Sequence, residues 1–394
     1  MNNAIKGIDS QFFIKAIADR LNQRKTEFMD GVDWNELLKY ALFHKLEGMV
    51  YLQCRSIMPR EKQAVFGKHA LMQFSDSNKK AAVIEKIEKK FTDEDIKFLI
   101  VKGVEVAKFY LAAKERAMGD IDVIVRSEDR ERANEALLAI GFEIEKIYVD
   151  EWKYTWNGME LELHDHLLYE GYDAPKKVFQ FTEDLWNYAI PEQNSSRFHL
   201  DWNYHLVFLL LHLKKHFVSS GVGLRLFVDL VVVCQKAEID VQRLRSDLEK
   251  LDLLKFSSLC FAFCERCFGV SMPFAADIDD DFFEKYSKRF LETGIYGQMD
   301  AYFENSVDDR IIKHGRLKAF FRRYFPPVKS FLDVGPKYFY LKKHPVLLPF
   351  AWLQMYFDAI ISGRFLTGKN KLTRFFATDT ALEERKKLFS DWDI

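Results

Sequence analysis

The sequence predicts an α+β protein, a small mixed sheet with helices set between helical regions at both ends, and three observations predict it. Up to about residue 90 apolar positions recur at helical spacing with no hairpin signal. From about residue 95 short apolar and β-branched runs take over, and two of them flank an Asn157-Gly158 pair. After about residue 196 helical spacing returns and persists. These changes divide the chain into an N-terminal helical region (1–92), a core (93–195), a helical domain (196–308) and a basic, aromatic-rich C-terminal helical region (309–394).

In the lead-in, helices are expected over 11–22, 34–58 and about 64–91. His44 falls among Ala41, Leu42, Leu46, Met49 and Val50 at helical spacing, which marks a satisfied core histidine rather than a ligand. A strand over 96–101 then leads through Lys102-Gly103 to a helix over 104–113, and a second strand follows over 121–125. Ser127 is expected to cap the next helix, with Glu128 and Asp129 in its first turn and Gly141 as its left-handed stop. A strand over 142–149 comes next. Asn-Gly is the preferred pair for a two-residue type I′ turn, so 152–156 and 159–164 form a hairpin. Alternation puts Met159, Leu161 and Leu163 on one face and Glu160, Glu162 and His164 on the other.

Residues 191–196, rich in Pro, Glu, Asn and Ser, are expected as a loop. In the helix over 203–218, His205, His212 and His216 stand at i, i+7 and i+11, one stripe. The helix over 224–236 carries Arg225 and Asp229 at i, i+4: a helix-face ion pair, or a device to steer a phosphate or hold a histidine tautomer. Cys260, Cys264 and Cys267 have a spacing that holds iron–sulfur clusters in radical S-adenosylmethionine enzymes. Here they share one apolar helical face late in the chain, and core packing is expected.

Two C-terminal stretches stand out. From 310 to 343 basic residues (310, 313, 316, 318, 322, 323, 329, 337, 342, 343) face a single acid, Asp333, with aromatics interleaved. A solvated face is expected, and nucleic-acid binding is the less favoured alternative. Residues 345–361, largely apolar but carrying two prolines and Asp358, are expected as a buried helix; Lys342 and Lys343 before it and Arg364, Lys369 and Lys371 after it also suit an interfacial segment in peripheral contact with a membrane.

Composition excludes more than it selects. A net charge of −1 exerts no global pull on nucleic acid or membrane, and 48% hydrophobic residues support a sizeable core. The absence of a basic-then-apolar leader, with five thinly spread cysteines, predicts a reducing, cytoplasmic setting. No uncharged apolar run reaches membrane-spanning length.

The chemistry concentrates in 98–125. Asp120 and Asp122 are two apart, so a strand points both the same way, where like charges repel unless a cation lies between them. A solvated strand start is the plain alternative. Glu162, on a later strand, offers a third acid, and hard oxygen ligands suit Mg²⁺.

A strand, a glycine turn, a helix, an acid-x-acid strand and a third acid on a later strand together resemble the nucleotidyltransferase superfamily typified by DNA polymerase beta. More narrowly, Lys102-Gly103, the run from Arg116 to Gly119-Asp120-Ile121-Asp122, the Leu-Glu-Leu-His of 161–164 and the later His-rich helix with Arg225 and Asp229 resemble a bacterial family of uncharacterised nucleotidyltransferases, over about residues 35–290. The resemblance implies a polymerase-beta-like core. It implies transfer of a nucleotidyl group from an NTP such as ATP to a hydroxyl of an unidentified small molecule, protein or RNA, with release of pyrophosphate. Asp120, Asp122 and Glu162 would bind Mg²⁺ or Mn²⁺ and be catalytic, Glu162 completing a second metal site or serving as base. Lys102, Gly103, Arg116 and Gly119 would lie at the nucleotide, and His164, His212, His216, Arg225 and Asp229 on the acceptor side or behind the ligands. One departure matters: the superfamily's second turn residue is usually Gly or Ser, whereas here Lys102 precedes the glycine and Val104 follows it. Phosphate would then meet backbone N–H groups and the Lys102 charge. The rival expectations are an inactive nucleotide-binding or interaction module on the same fold, and a nucleic-acid-binding adaptor working through 310–343.

Overall fold

Strand pairing sets the frame. In a computed structural model, residues Phe98–Ile100 (β1), Ile121–Val125 (β2), Glu143–Ile147 (β3), Trp152–Trp156 (β4), Met159–His164 (β5), Ala189–Pro191 (β6) and Arg197–Leu200 (β7) form one sheet in the order β3-β4-β5-β2-β1-β7-β6. β2 runs parallel to β5 and β1 parallel to β7, and the other neighbours are antiparallel, so the sheet is mixed. The structure describes residues 7–148, 151–168, 175–219, 222–294, 315–332, 336–361 and 379–394. Val149, residues 309–314, Asp333, Arg364, Lys369 and Lys371 lie outside the described residues.

The hairpin forms as its turn dictates. Asn157 (φ 49°) and Gly158 (φ 76°) are both left-handed, as a type I′ turn requires. The register then places Trp156 opposite Met159 and Lys153 opposite Glu162. Met159, Leu161 and Leu163 turn inward and Glu160 outward. They meet Ala133, Ala136 and Leu137 of the helix Arg130–Ala139 (α6), together with Ile84, Ile87 and Phe91 from the long helix Arg60–Asp93 (α4). The opposite face of the sheet, through Leu99, Val101 and Ile124, packs on Tyr204 and Phe208 of Trp202–Ser219 (α8), the α-helix that follows Lys176–Glu183 (α7) in the chain.

Most of the apolar core lies among the helices. Phe12, Phe13, Leu37 and Val50, from Ile8–Leu21 (α1), Trp34–Phe43 (α2) and Glu47–Cys54 (α3), share one cluster with Phe227, Phe256, Phe263 and Phe290. The latter come from Leu224–Lys236 (α9), Leu254–Phe268 (α11) and Asp280–Thr293 (α12), with Val241–Lys250 (α10) between α9 and α11. Leu388 and Trp392, from Asp379–Trp392, join them. Cys260, Cys264 and Cys267 are buried in this cluster as unoxidised apolar residues.

Four expectations are corrected. The single helix over 34–58 is interrupted at 44–46, where Lys45 takes φ 55°. His44 turns into the core there, stacks on Phe13 and accepts a hydrogen bond from the Leu224 N–H at Nδ1, 3.2 Å. The helix over 104–113 is reduced to Gly103–Ala107 (α5), because Phe109 packs on Trp202 and Tyr110 turns inward to Asp229. The loop 191–196 is irregular over 192–196 as expected, but it does not lead straight into helix: it joins β6, which ends at Pro191, to β7, and these strands extend the sheet beyond β1. The buried helix at 345–361 begins at Leu348 and ends at Ile361, and only one side of it is covered: Ala351 is buried with Phe331, Tyr338 and Leu341, while Phe350, Leu353 and Phe357 face solvent. No described helix is long and apolar enough to cross a membrane.

Candidate active site

Adjacent parallel strands bring two acids level. Asp122 of β2 is the register partner of Glu162 of β5, and His164 follows two residues later on the same face. Ligand atoms of Asp122, Glu162 and His164 all lie within 4.8 Å of one another. The resemblance implies Asp120, Asp122 and Glu162 as ligands. The structure instead gathers His164 with Asp122 and Glu162, and Asp120 stands outside this group on the exposed rim where the strand begins.

The acids are met by cations. The Lys102 Nζ donates to Asp122 Oδ1 at 2.5 Å. Lys153, opposite Glu162, donates to that carboxylate and forms a 3.0 Å ion pair with Glu151. His164 Nε2 lies 3.6 Å from Asp122 Oδ1 and 3.5 Å from Glu162 Oε2. Asp122 is 3% exposed, and burial alone would raise its pKa; Lys102 and His164 outweigh burial and hold it well below the usual carboxylate range. Glu162 is lowered for the same kind of reason, burial being overcome by His164 and Lys153. Burial opposes the charge on His164, but Asp122 and Glu162 raise its pKa to about 9. Asp120 opens to solvent yet is hemmed in by protein, and its pKa is raised by lost hydration and then by Asp122.

The turn after β1 is built to deliver Lys102. That residue has φ 59°, a conformation costly for a side chain with a Cβ. Its N–H donates to Nε2 of His205 at 3.1 Å, so this one amide is taken, and the N–H groups that a phosphate could meet are those from Gly103 onward. His205 is buried and stacked on Trp202, and burial lowers its pKa to about 4. Gly103 is sterically required: a Cβ there would run into the Arg116 guanidinium. Gly119 has open space around it.

Arg116 lies beneath the turn. It is 4% exposed and binds Asp229 with both arms, Nε to Oδ1 at 3.0 Å and Nη2 to Oδ2 at 2.8 Å. Tyr110 adds a hydrogen bond to Asp229 at 2.8 Å. Arg225 donates to the Ala117 carbonyl at 2.8 Å. Arg116, Arg225 and Asp229 therefore hold the loop before Asp120 from behind. The N-terminal helices grip the same loop: Arg20 meets Glu115 at 2.5 Å, Gln73 donates to the carbonyls of Lys114 (2.8 Å) and Glu115 (3.0 Å), and Lys80 to that of Met118 (2.9 Å).

A cleft of about 70 Å³ opens beside Glu162, lined also by Lys102, His164, His166, His212 and Lys215 among others. His212 and His216 are 3.1 Å apart through their Nε2 atoms. Burial pushes both pKa values down, with Lys102 adding to the effect on His212 and Lys215 to that on His216, where the value is about 4.

Two carboxylates facing each other, a third at the rim and an imidazole beside them fit a divalent cation in donor chemistry. The ammonium groups of Lys102 and Lys153 now supply the positive charge that such a cluster demands. Spacing alone missed Lys153 and the role of His205. Lys153 was legible: counting back from the Asn157-Gly158 turn sets it opposite Glu162. His205 was not, because nothing local ties it to Lys102 across the sheet.

No curated protein matches the sequence. Two solved structures are similar to part of it: the antibiotic-resistance factor ANT(2'')-Ia in solution (13% identity, 45% of this chain and 90% of that one, TM-score 0.32), and ANT(2")-Ia in complex with adenylyl-2"-tobramycin (10% identity, 44% and 97%, TM-score 0.34). Both likenesses are too distant to carry an argument. The family model for uncharacterised nucleotidyltransferases matches residues 30–269, which take in the grip of Gln73 and Lys80, both acid strands, His205 and the Arg116–Asp229 pair, and the chain belongs to that family.

Proposed function

We propose that this chain moves a nucleotidyl group from an NTP to a hydroxyl of an acceptor, at the face shared by β2 and β5. The observation that carries the proposal is the level pairing of Asp122 with Glu162, with Lys102 delivered to it by a strained turn. Asp122 and Glu162, with His164 beside them and Asp120 at the rim, are the residues that would hold Mg²⁺ or Mn²⁺. Such an ion supplies charge neutralisation at the phosphate oxygens.

The residues of the chain do the rest. Lys102 brings a positive charge to the cleft, available to the triphosphate once Asp122 is engaged elsewhere. Arg116, locked on Asp229, keeps Gly103 and the Asp120 loop in place rather than meeting the nucleotide. His212 and Lys215 line the side on which a second substrate would approach. In the reaction a hydroxyl oxygen of the acceptor bonds to the α-phosphorus, and the bond from that phosphorus to the bridging oxygen breaks. Pyrophosphate leaves with the electron pair, and the acceptor's proton passes to a site carboxylate or to water.

One observation favours a second reading. Lys102 and Lys153 already neutralise the acids, as suits a module that binds nucleotide without turning it over. Incubating the protein with each α-labelled NTP, Mg²⁺ or Mn²⁺ and a cell extract separates the two. Covalent label on a small molecule, RNA or protein, lost with Asp122→Asn, supports transfer. Nucleotide binding without labelled product under any of these conditions supports the inactive module.

A further inference from the structure

The helix Leu348–Ile361 is apolar almost all round, a pattern that ordinarily means burial on every side. Its inner side is accounted for. Trp352 Nε1 donates to the Pro326 carbonyl at 2.9 Å, Tyr356 OH to the Tyr324 carbonyl at 2.6 Å, and Ala351 packs with Phe331, Tyr338 and Leu341. Asp358, its sole acid, is paired with Lys337 at 2.5 Å. The outer side is a stripe of Val346, Phe350, Leu353, Phe357 and Ile360, at spacings of four, three, four and three, and each is between 62% and 84% exposed among the described residues.

Apart from Asp358 and its partner Lys337, the described charge on this unit is basic. Lys318, Arg322, Lys329, Lys337, Lys342 and Lys343 are exposed on the same small unit, and Lys342 and Lys343 directly precede the stripe. Leu317, Phe321 and Phe325, on and just after the helix Arg316–Tyr324, are exposed too, so the apolar surface extends over two helices instead of one seam.

We propose that residues 316–361 dock on an anionic lipid bilayer, with the stripe in the acyl boundary and the lysines on the headgroups. A bilayer satisfies both features at once: apolar side chains enter the interface, and basic ones gain from anionic lipid. A second copy of this chain would set the same positive surface against itself. Nucleic acid would use the lysines and leave five large apolar side chains in water. Contact is peripheral, because no described helix is long and apolar enough to span. The proposal stands apart from the chemistry at Asp122.

The test is co-sedimentation of the full chain with vesicles of phosphatidylcholine alone or mixed with phosphatidylglycerol, at low and high salt. Binding to the mixed vesicles is expected, weakened by salt. Phe350→Ser with Phe357→Ser should weaken it at least about tenfold, and Lys342→Glu with Lys343→Glu by a similar factor. Both variants alter exposed side chains, and unchanged melting midpoints show that they fold. Three results overturn the proposal: no binding to mixed vesicles; binding that ignores the phenylalanines and is displaced by RNA; or self-association lost with the phenylalanines while vesicles are not bound.

Discussion

The ammonium nitrogen of Lys102 stands 2.5 Å from Oδ1 of Asp122, so the turn that ends β1 supplies the counter-charge to the acid near the start of β2. A metal ion at this acid would have to displace that cation, and the metal question becomes one of competition.

Lys102→Met leaves Asp122 buried with one cation fewer. Stability without metal should fall by on the order of 2–3 kcal/mol. Mg²⁺ or Mn²⁺ should then raise the melting midpoint of the variant more than that of the wild type, because the ion no longer displaces an ammonium group. Equal metal-induced shifts in scanning calorimetry would falsify the competition.

Gly103 and Arg116 should be coupled. A Cβ at 103 meets the guanidinium, so Gly103→Ala is costly when Arg116 is present and much less so in an Arg116→Ala background. Arg116→Ala alone removes the cation from buried Asp229, which keeps its hydrogen bond from Tyr110, and should cost about 3–5 kcal/mol. Urea denaturation of the four proteins gives the cycle, and additive costs would contradict the contact.

Buried histidines shape the acid limb of stability: His212 and His216 act in the same direction as His44 and His205, and His164, whose pKa is raised, acts in the opposite one. Burial lowers the pKa of His44 to about 3 and of His205 to about 4. The unfolded chain binds protons at His44 and His205 near pH 6.5 and the folded chain does not, so the contribution of these two is complete above that pH and falls as pH drops from there toward the folded values. Between pH 7 and pH 5 each should remove about 2 kcal/mol. His205→Phe, which preserves the stack on Trp202, should flatten this part of the stability profile; an unchanged slope would count against a neutral His205.

Much of the fold was legible because it rests on local signals. Asn157-Gly158 demanded a left-handed pair, and the register that places Glu162 followed from counting. Asp120 and Asp122 announced themselves by two-residue spacing. What could not be read depends on contacts distant in sequence. Lys102 and His205 meet across 103 positions, and Arg116 reaches Asp229 across 113. The i, i+4 spacing of Arg225 and Asp229 suggested partners on one helix, but the Asp229 carboxylate is held by Arg116 and Tyr110. The strands β6 and β7 escaped because they are three and four residues long and owe their place to the edge of β1. The helix over 345–361 misled because apolar composition cannot tell which side the rest of the chain covers.

Calorimetric titration of an NTP into the protein, with and without Mg²⁺, bears on the level pairing of Asp122 and Glu162. The wild type should bind the nucleotide with Mg²⁺ far more tightly than either alone, and Asp122→Asn with Glu162→Gln should abolish this joint binding while the chain stays folded. Unchanged affinity of the double variant for Mg²⁺ and NTP together would contradict a nucleotidyl-transfer site at these two acids.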